Sequence, residues 1–187
     1  MKLICGLDEA GRGPLAGPVT AGCVILPPDF PVEILNDSKK LSEKKRQAAE
    51  TIIKEKAIWG IALVDHKKID QINILEASML AMKNAFEDLL KKNPGLQLAE
   101  ISGITDGTRC PDVPIECRCE PKADGKYPCV MAASILAKTC RDRLMLEMDK
   151  KYPEYGYAKH KGYPTKAHRE VCHKLGPSPI QRLTFKY

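Results

Sequence analysis

A chain of 187 residues with 43% hydrophobic content is long enough to bury one core, and no apolar run approaches the roughly 18 residues of a membrane-spanning helix. The N-terminus has no basic segment followed by a long apolar run, so no signal peptide is expected and cytoplasmic residence is the default. Net charge is +6, but residues 121–187 hold 14 Lys plus Arg against 6 Asp plus Glu, a balance of +8, while the rest stands at −2. That asymmetry favours an anionic partner, nucleic acid being the commonest, although a solvated basic helix surface would give the same balance.

In chain order, residues 3–7 and 19–26 read as strands joined by a glycine-rich turn, and Pro27-Pro28 ends the second. Residues 31–40 read as a loop ending in Asp37-Ser38-Lys39-Lys40, and Ser42 is an N-cap for a helix to about Lys56. Ile58–Val64 is a third strand. Asn73 with Glu76 three residues on resembles a capping box. Leu75, Met79, Met82, Phe86 and Leu89 follow at helical spacing, which reads as a core face rather than a cofactor box. Asn93-Pro94-Gly95 stops that helix. Residues 98–105 and 115–120 are the fourth and fifth strands. Pro128 suits the first turn of a helix to about Met148, and Thr165 begins a last helix closed by Gly176. Strands alternating with helices predict a mixed α/β sheet.

The segment Gly6-Leu7-Asp8-Glu9-Ala10-Gly11-Arg12-Gly13 carries the most chemistry. It fails the phosphate-loop pattern, because Arg12-Gly13 replaces Lys-Ser/Thr, and the dinucleotide pattern, because Ala16 stands at the third glycine position. What it offers is two carboxylates at a strand end, glycines that let backbone approach a ligand, and a cationic fork suited to phosphate. Asp106 and Asp124 also fall at predicted element boundaries. Magnesium takes oxygen ligands, and two such ions about 4 Å apart can activate water and stabilise the leaving oxygen of a phosphodiester. Four carboxylates can hold that pair. Asp106-Gly107 and Asp124-Gly125 are also ordinary turn dipeptides, and spacing alone leaves open whether the four meet.

The eight cysteines include no C-x-x-C pair, and the close pair Cys117-x-Cys119 would share one face of a strand. They read as reduced, mostly buried thiols rather than a zinc site.

Taken in register, Asp8-Glu9-Ala10-Gly11-Arg12-Gly13-Pro14, Asp37-Ser38-Lys39-Lys40-Leu41, Thr105-Asp106-Gly107, Lys122-Ala123-Asp124, the 132–142 segment around Ser134, Lys138 and Arg141, and His160-Lys161-Gly162-Tyr163 resemble prokaryotic-type ribonuclease HII. The resemblance runs from residue 4 to about Phe185. It implies a ribonuclease H-like fold, a mixed five-stranded sheet flanked by helices. One domain would span 1–187, with a core of about 1–150 and a helical C-terminal segment of about 151–187.

The implied activity is endonucleolytic cleavage of RNA in RNA–DNA hybrids and 5′ to a single ribonucleotide in duplex DNA, leaving 3′-hydroxyl and 5′-phosphate ends. Asp8, Glu9, Asp106 and Asp124 become the catalytic carboxylates that bind two ions, Mg2+ or Mn2+. Gly11, Arg12 and Gly13 become the turn that senses the ribose 2′-hydroxyl, and Tyr163 the ring that stacks on the following sugar. Lys39 and Lys40 lie in the phosphate-contact loop. Lys138, Arg141, His160 and Lys161 are further candidates for contact with the nucleic-acid backbone.

Thr105 stands where the family often has a hydrophobic residue, and Ala123-Asp124-Gly125 where it often has Gly-Asp-Ser. No clamp-docking extension is expected after Arg182-Leu183-Thr184-Phe185, and a monomer is expected. Ribonuclease HIII, which carries an extra N-terminal domain, is the near rival. A non-catalytic hybrid-binding protein is the rival from another class, and four carboxylates beside phosphate argue against it.

Overall fold

The computed structural model describes residues 2–186. Strands β1 (Leu3–Ala10), β2 (Val19–Ile25), β3 (Ile58–Val64), β4 (Ile101–Asp106) and β5 (Cys117–Glu120) form one sheet in the order β3-β2-β1-β4-β5. The first three pair antiparallel, whereas β4 and β5 join parallel to β1. Among the described residues α1 (Glu43–Lys56), α2 (His66–Lys92) and α3 (Pro128–Lys151) flank the sheet, and the shorter α4 (Tyr157–His160) and α5 (Lys166–Leu175) follow in the C-terminal segment. The expected α/β class with a mixed five-stranded sheet is therefore observed. No helix among the described residues is long and apolar enough to cross a membrane.

Strand alternation sorts β1 into two faces. Cys5 and Leu7 meet Ala77, Ala81, Met82, Ala85, Phe86 and Leu89 of α2, all fully buried. At about 1.5–3 kcal/mol for each large apolar side chain buried, Met82, Phe86 and Leu89 anchor this layer. The opposite face receives α3. A Cβ on Gly6 would fall 2.2 Å from the Cys129 carbonyl carbon, and one on Gly22 would fall 2.5 Å from Ala133 O. The absence of those two side chains lets α3 lie directly on the β1–β2 backbone, which carries Ser134 and Lys138 over the ends of the strands.

Several boundaries differ from the sequence reading. β1 does not stop at Leu7. It continues through Asp8, Glu9 and Ala10 because β2 pairs with all three, opposite Gly22, Ala21 and Thr20. Pairing with β4 ends at Leu7–Thr105, so the two acids stand where β1 outruns its parallel neighbour. α2 begins seven residues before Asn73, capped by Asp65, whose carboxylate accepts from Lys68 N at 2.8 Å. Asn73 is a kink within it (φ 65°, ψ 167°), where its side chain accepts from the amides of Leu75 and Glu76. The anticipated N-cap exists, but Glu76 pairs with Arg109. Residues 98–100 form a 3-10 turn, and α3 runs to Lys151. Ser42 and Thr165 cap α1 and α5 as expected, accepting from Lys45 N and His168 N.

The C-terminal segment folds back on the turn between β1 and β2. Leu15 N donates to Gly162 O at 2.8 Å, Gly17 N to Ile180 O at 2.9 Å, and Arg182 N to Leu15 O at 2.8 Å.

Candidate functional site

A cleft of about 520 Å³ opens at the carboxyl ends of β1 and β4. Its lining includes Asp8, Glu9, Asp106, the Gly11–Gly13 turn, Lys39, Lys138 and Tyr163, residues up to 155 positions apart in the chain. Asp8 lies nearly buried at the α3 face, accepting from the Glu9 amide at 2.8 Å and from Ser134. Asp106 ends β4 and accepts from Ala123 N at 2.8 Å. That bond seats the 3-10 turn Ala123–Gly125, which presents Asp124 at the cleft margin. Glu9 meets Arg12 at 3.4 Å, and Asp124 Oδ2 lies 3.7 Å from Lys39 Nζ.

The carboxylates feel one another. Burial first, then the charges of Glu9 and Asp106, lift the Asp8 carboxyl well above the usual carboxylate range, against its hydrogen bonds from Ser134 and the Glu9 amide. Burial and Asp106 likewise raise Glu9, with Arg12 opposing. Burial and Asp106 raise Asp124, with Lys39 opposing. Burial pulls the Lys39 ammonium down, but Asp124, Asp37, Asp8 and Asp106 together hold it above its ordinary value. In the side-chain positions seen, no three acidic, histidine or cysteine groups among the described residues are drawn together as a ligand set. The chemistry of the group nevertheless suits a hard divalent cation: oxygen donors only, with the ionised forms of Asp8, Glu9 and Asp124 disfavoured until positive charge arrives.

The turn after β1 is shaped by two buried arginines. Gly11 has φ +100°, and a Cβ there would fall 2.2 Å from Arg141 Nε. Arg182 donates to the carbonyls of Gly11 at 2.6 Å and Arg12 at 3.0 Å. In a trans peptide the N–H points opposite to the C=O, so the amides of Arg12 and Gly13 face away from Arg182. Neither has a hydrogen-bond partner among the described residues. Tyr163 stands beside this turn, its Cε1 3.8 Å from where a Gly13 Cβ would be.

The basic candidates separate. Lys39 and Lys138 line the cleft, Lys138 paired with Asp142 at 2.8 Å and 5.7 Å from the centre of the Tyr163 ring. Lys40 is exposed and lies outside the lining. His160 is turned inward: Nδ1 accepts from Gly162 N at 3.2 Å, Nε2 donates to Tyr155 O at 2.9 Å, and the ring stacks on His168 at 4.3 Å. The Lys161 ammonium donates to Ala158 O. Arg141 has no exposed surface, so the direct phosphate contact anticipated for it is not available.

Three polar cleft residues had no role in the sequence reading: Ser38, Ser134 and Arg46. Ser38 and Ser134 share a 2.9 Å hydrogen bond beneath the cluster. Arg46 Nη1 donates to Ser38 O at 3.0 Å, and Nη2 meets Asp142 at 3.7 Å. Helical spacing carries a usable signal, since Ser134, Lys138 and Arg141 fall at i, i+4 and i+7 on one face of α3.

A mixed sheet that gathers carboxylates at the ends of two adjacent parallel strands, beside open amides and cations, suits a hydrolase acting on nucleic acid. The sequence model of the family described as Ribonuclease HII matches residues 5–187, and this chain belongs to that family. It is 50% identical over 184 residues to the ribonuclease HII of Dechloromonas aromatica, covering 98% of this chain and 90% of that one. It is 49% identical over 186 residues to that of Vibrio parahaemolyticus, covering 99% and 85%. Among solved structures, the ribonuclease HII in the PCNA complex from Archaeoglobus fulgidus superposes with a TM-score of 0.77 at 23% identity, covering 99% and 96%. Bst-RNase HIII in complex with Mn2+ shares the fold at a TM-score of 0.77 and 16% identity, covering 98% of this chain and 67% of that one. The protein is thus a hydrolytic nuclease of the ribonuclease H type.

Proposed function

We propose that this chain hydrolyses the RNA strand of RNA–DNA hybrids and nicks duplex DNA 5′ to a single embedded ribonucleotide, leaving 3′-hydroxyl and 5′-phosphate ends. One juxtaposition supports the reading above all others: the acidic cluster stands beside a turn whose Arg12 and Gly13 amides have no partner among the described residues. A 2′-hydroxyl is the group that distinguishes RNA from DNA, and two fixed amide donors suit its oxygen. Asp8, Glu9, Asp106 and Asp124 would hold two Mg2+ or Mn2+ ions. When bound, such ions supply the Lewis acidity that makes water nucleophilic and offsets charge on the phosphodiester.

The chain's own groups do the selecting. The turn amides seat the ribose, and the scissile bond then falls over the carboxylates. The Tyr163 ring packs against the next sugar, where a 2′-hydroxyl would crowd it, so deoxyribose is favoured. Lys39, Lys40 and Lys138 meet phosphates, while His160 and Lys161 act through the backbone of the Tyr163 turn. The buried serine pair holds Asp8 in place.

The deciding experiment incubates the protein with a DNA duplex carrying one ribonucleotide, with Mg2+, with Mn2+ and with chelator, and maps the cut. A nick 5′ to the ribonucleotide that appears only with metal supports the reading. Cleavage confined to a long hybrid would replace it with specificity for RNA tracts. Binding to both substrates without any cut would mean a non-catalytic protein.

A further inference from the structure

Arg141 and Arg182 are the two largest side chains with no exposed surface among the described residues. No carboxylate hydrogen-bonds to either guanidinium among the described residues. Every partner is a backbone carbonyl. Arg182 donates from Nε to Gly17 at 2.9 Å, from Nη1 to Arg12 at 3.0 Å, and from Nη2 to Gly11 at 2.6 Å and Pro18 at 3.1 Å. Arg141 donates from Nε to Pro18 at 2.9 Å, from Nη1 to Lys161 at 2.9 Å, and from Nη2 to Ala16 at 3.0 Å. Burial lowers both guanidiniums, Arg141 to about 10 and Arg182, pushed further by its neighbour's charge, to about 9. Both stay charged at neutral pH.

Two buried like charges without a bonded acid cost folding free energy that neutral donors would not. What they supply is geometry. A guanidinium is a flat fork of five donors, and these two together grip the carbonyls of residues 11, 12, 16, 17 and 18 and that of Lys161. Arg141 also lies under the Tyr163 ring, 5.7 Å from its centre. One clamp therefore fixes both the turn with the open amides and the turn that carries Tyr163.

We infer that Arg182, backed by Arg141, is a positioning residue for sugar recognition: it turns the Gly11 and Arg12 carbonyls inward, presents the Arg12 and Gly13 amides to the ribose, and sets their distance from the Tyr163 ring. This rests on the ribose-sensing reading of that turn. Arg182 touches no substrate. Lysine keeps the charge but presents its three donors from one point, and cannot span four carbonyls.

The test uses the full chain with Arg182→Lys, and Arg141→Lys as the second variant should the first fail to fold. Amide hydrogen exchange at Leu15 and Gly17, the bonded amides of the turn, should quicken at least about tenfold while residues 58–92 of the core stay protected. With metal, kcat for the single-ribonucleotide duplex should fall at least about tenfold more than kcat for a long hybrid, as expected of a reacting group misplaced by a fraction of an ångström, with KM nearly unchanged. Equal losses on both substrates, or unchanged exchange in the turn, would overturn the inference. Should the wild-type protein itself leave the single ribonucleotide uncut, the ribose-sensing reading falls, and the exchange result alone then decides whether the clamp sets the turn.

Discussion

Lys39 Nζ lies 3.7 Å from Asp124 Oδ2, so an ammonium already leans into the acidic cluster from the 37–40 loop. Asp8 and Asp106 pull on the same charge. The side chain is largely exposed at its tip and free to swing toward a phosphate. Lys39→Met should raise KM for a hybrid substrate by about tenfold and flatten the slope of log affinity against log salt by about one. Titrations of binding at several salt concentrations check this. An unchanged slope would leave Lys39 as a partner of Asp124 alone.

Asp8→Asn separates charge from shape. The amide oxygen can still accept from Ser134 and the Glu9 amide, so the fold should persist. Turnover with Mg2+ should fall by about a thousandfold or more, the scale of losing a group aimed at transition-state charge. Metal-free protein should melt a few degrees higher than wild type, because a buried and repelled carboxylate has gone. Turnover near wild type would remove Asp8 from the chemistry.

Acid should weaken the site through protons competing with metal. Asp8, Glu9 and Asp124 all have raised folded values, so the metal-free protein keeps protons that an unfolded chain releases. Their contribution to metal-free stability is therefore full below the ordinary carboxylate range and is lost as pH rises through the raised values. A divalent cation reverses the sign, since it binds the ionised forms. Affinity for Mn2+ should drop by up to about tenfold per pH unit for each proton displaced on going from neutral to mildly acid solution. Calorimetric titration in two buffers of different ionisation enthalpy counts those protons. Zero proton release would mean that the carboxylates are already ionised.

The acids and the Gly11–Arg12–Gly13 turn were readable because each is a short local pattern at the end of an apolar run. The extension of β1 past Leu7 was not, since it depends on pairing with β2, which no local pattern reports. The first turns of α2 were missed for a related reason: Asn73 carries a good capping signal, and the structure uses it inside a longer kinked helix. Arg141 and His160 read as surface cations because charge predicts exposure. Here each is drawn inward by backbone carbonyls and amides that only the fold brings to it. Thr105 departs from the usual hydrophobic residue without leaving a buried hydroxyl unpaired, since it donates to Met82 Sδ at 3.2 Å.

Gly11 is where turn and clamp meet most tightly. Its φ of +100° is strained for any side chain, and a Cβ would sit 2.2 Å from Arg141 Nε, 2.4 Å from its Cδ and 2.9 Å from Pro18 O. Arg141 cannot retreat without losing its bonds to Pro18, Ala16 and Lys161. Gly11→Ala should therefore cost about 3 kcal/mol or more, backbone strain and overpacking together. Gly176, with φ +82°, ψ −175° and open space around it, supplies the control: Gly176→Ala should cost about 1–3 kcal/mol from conformation alone. Repeating Gly11→Ala in an Arg141→Ala background isolates the clash with the guanidinium, leaving only the backbone angle and the 2.9 Å approach to Pro18 O. The two substitutions should be strongly non-additive, with the alanine at residue 11 costing clearly less in the double variant than alone. Denaturant unfolding of the four proteins measures the coupling. Simple additivity would mean that Gly11 is needed for its backbone angle and not for the guanidinium beneath it.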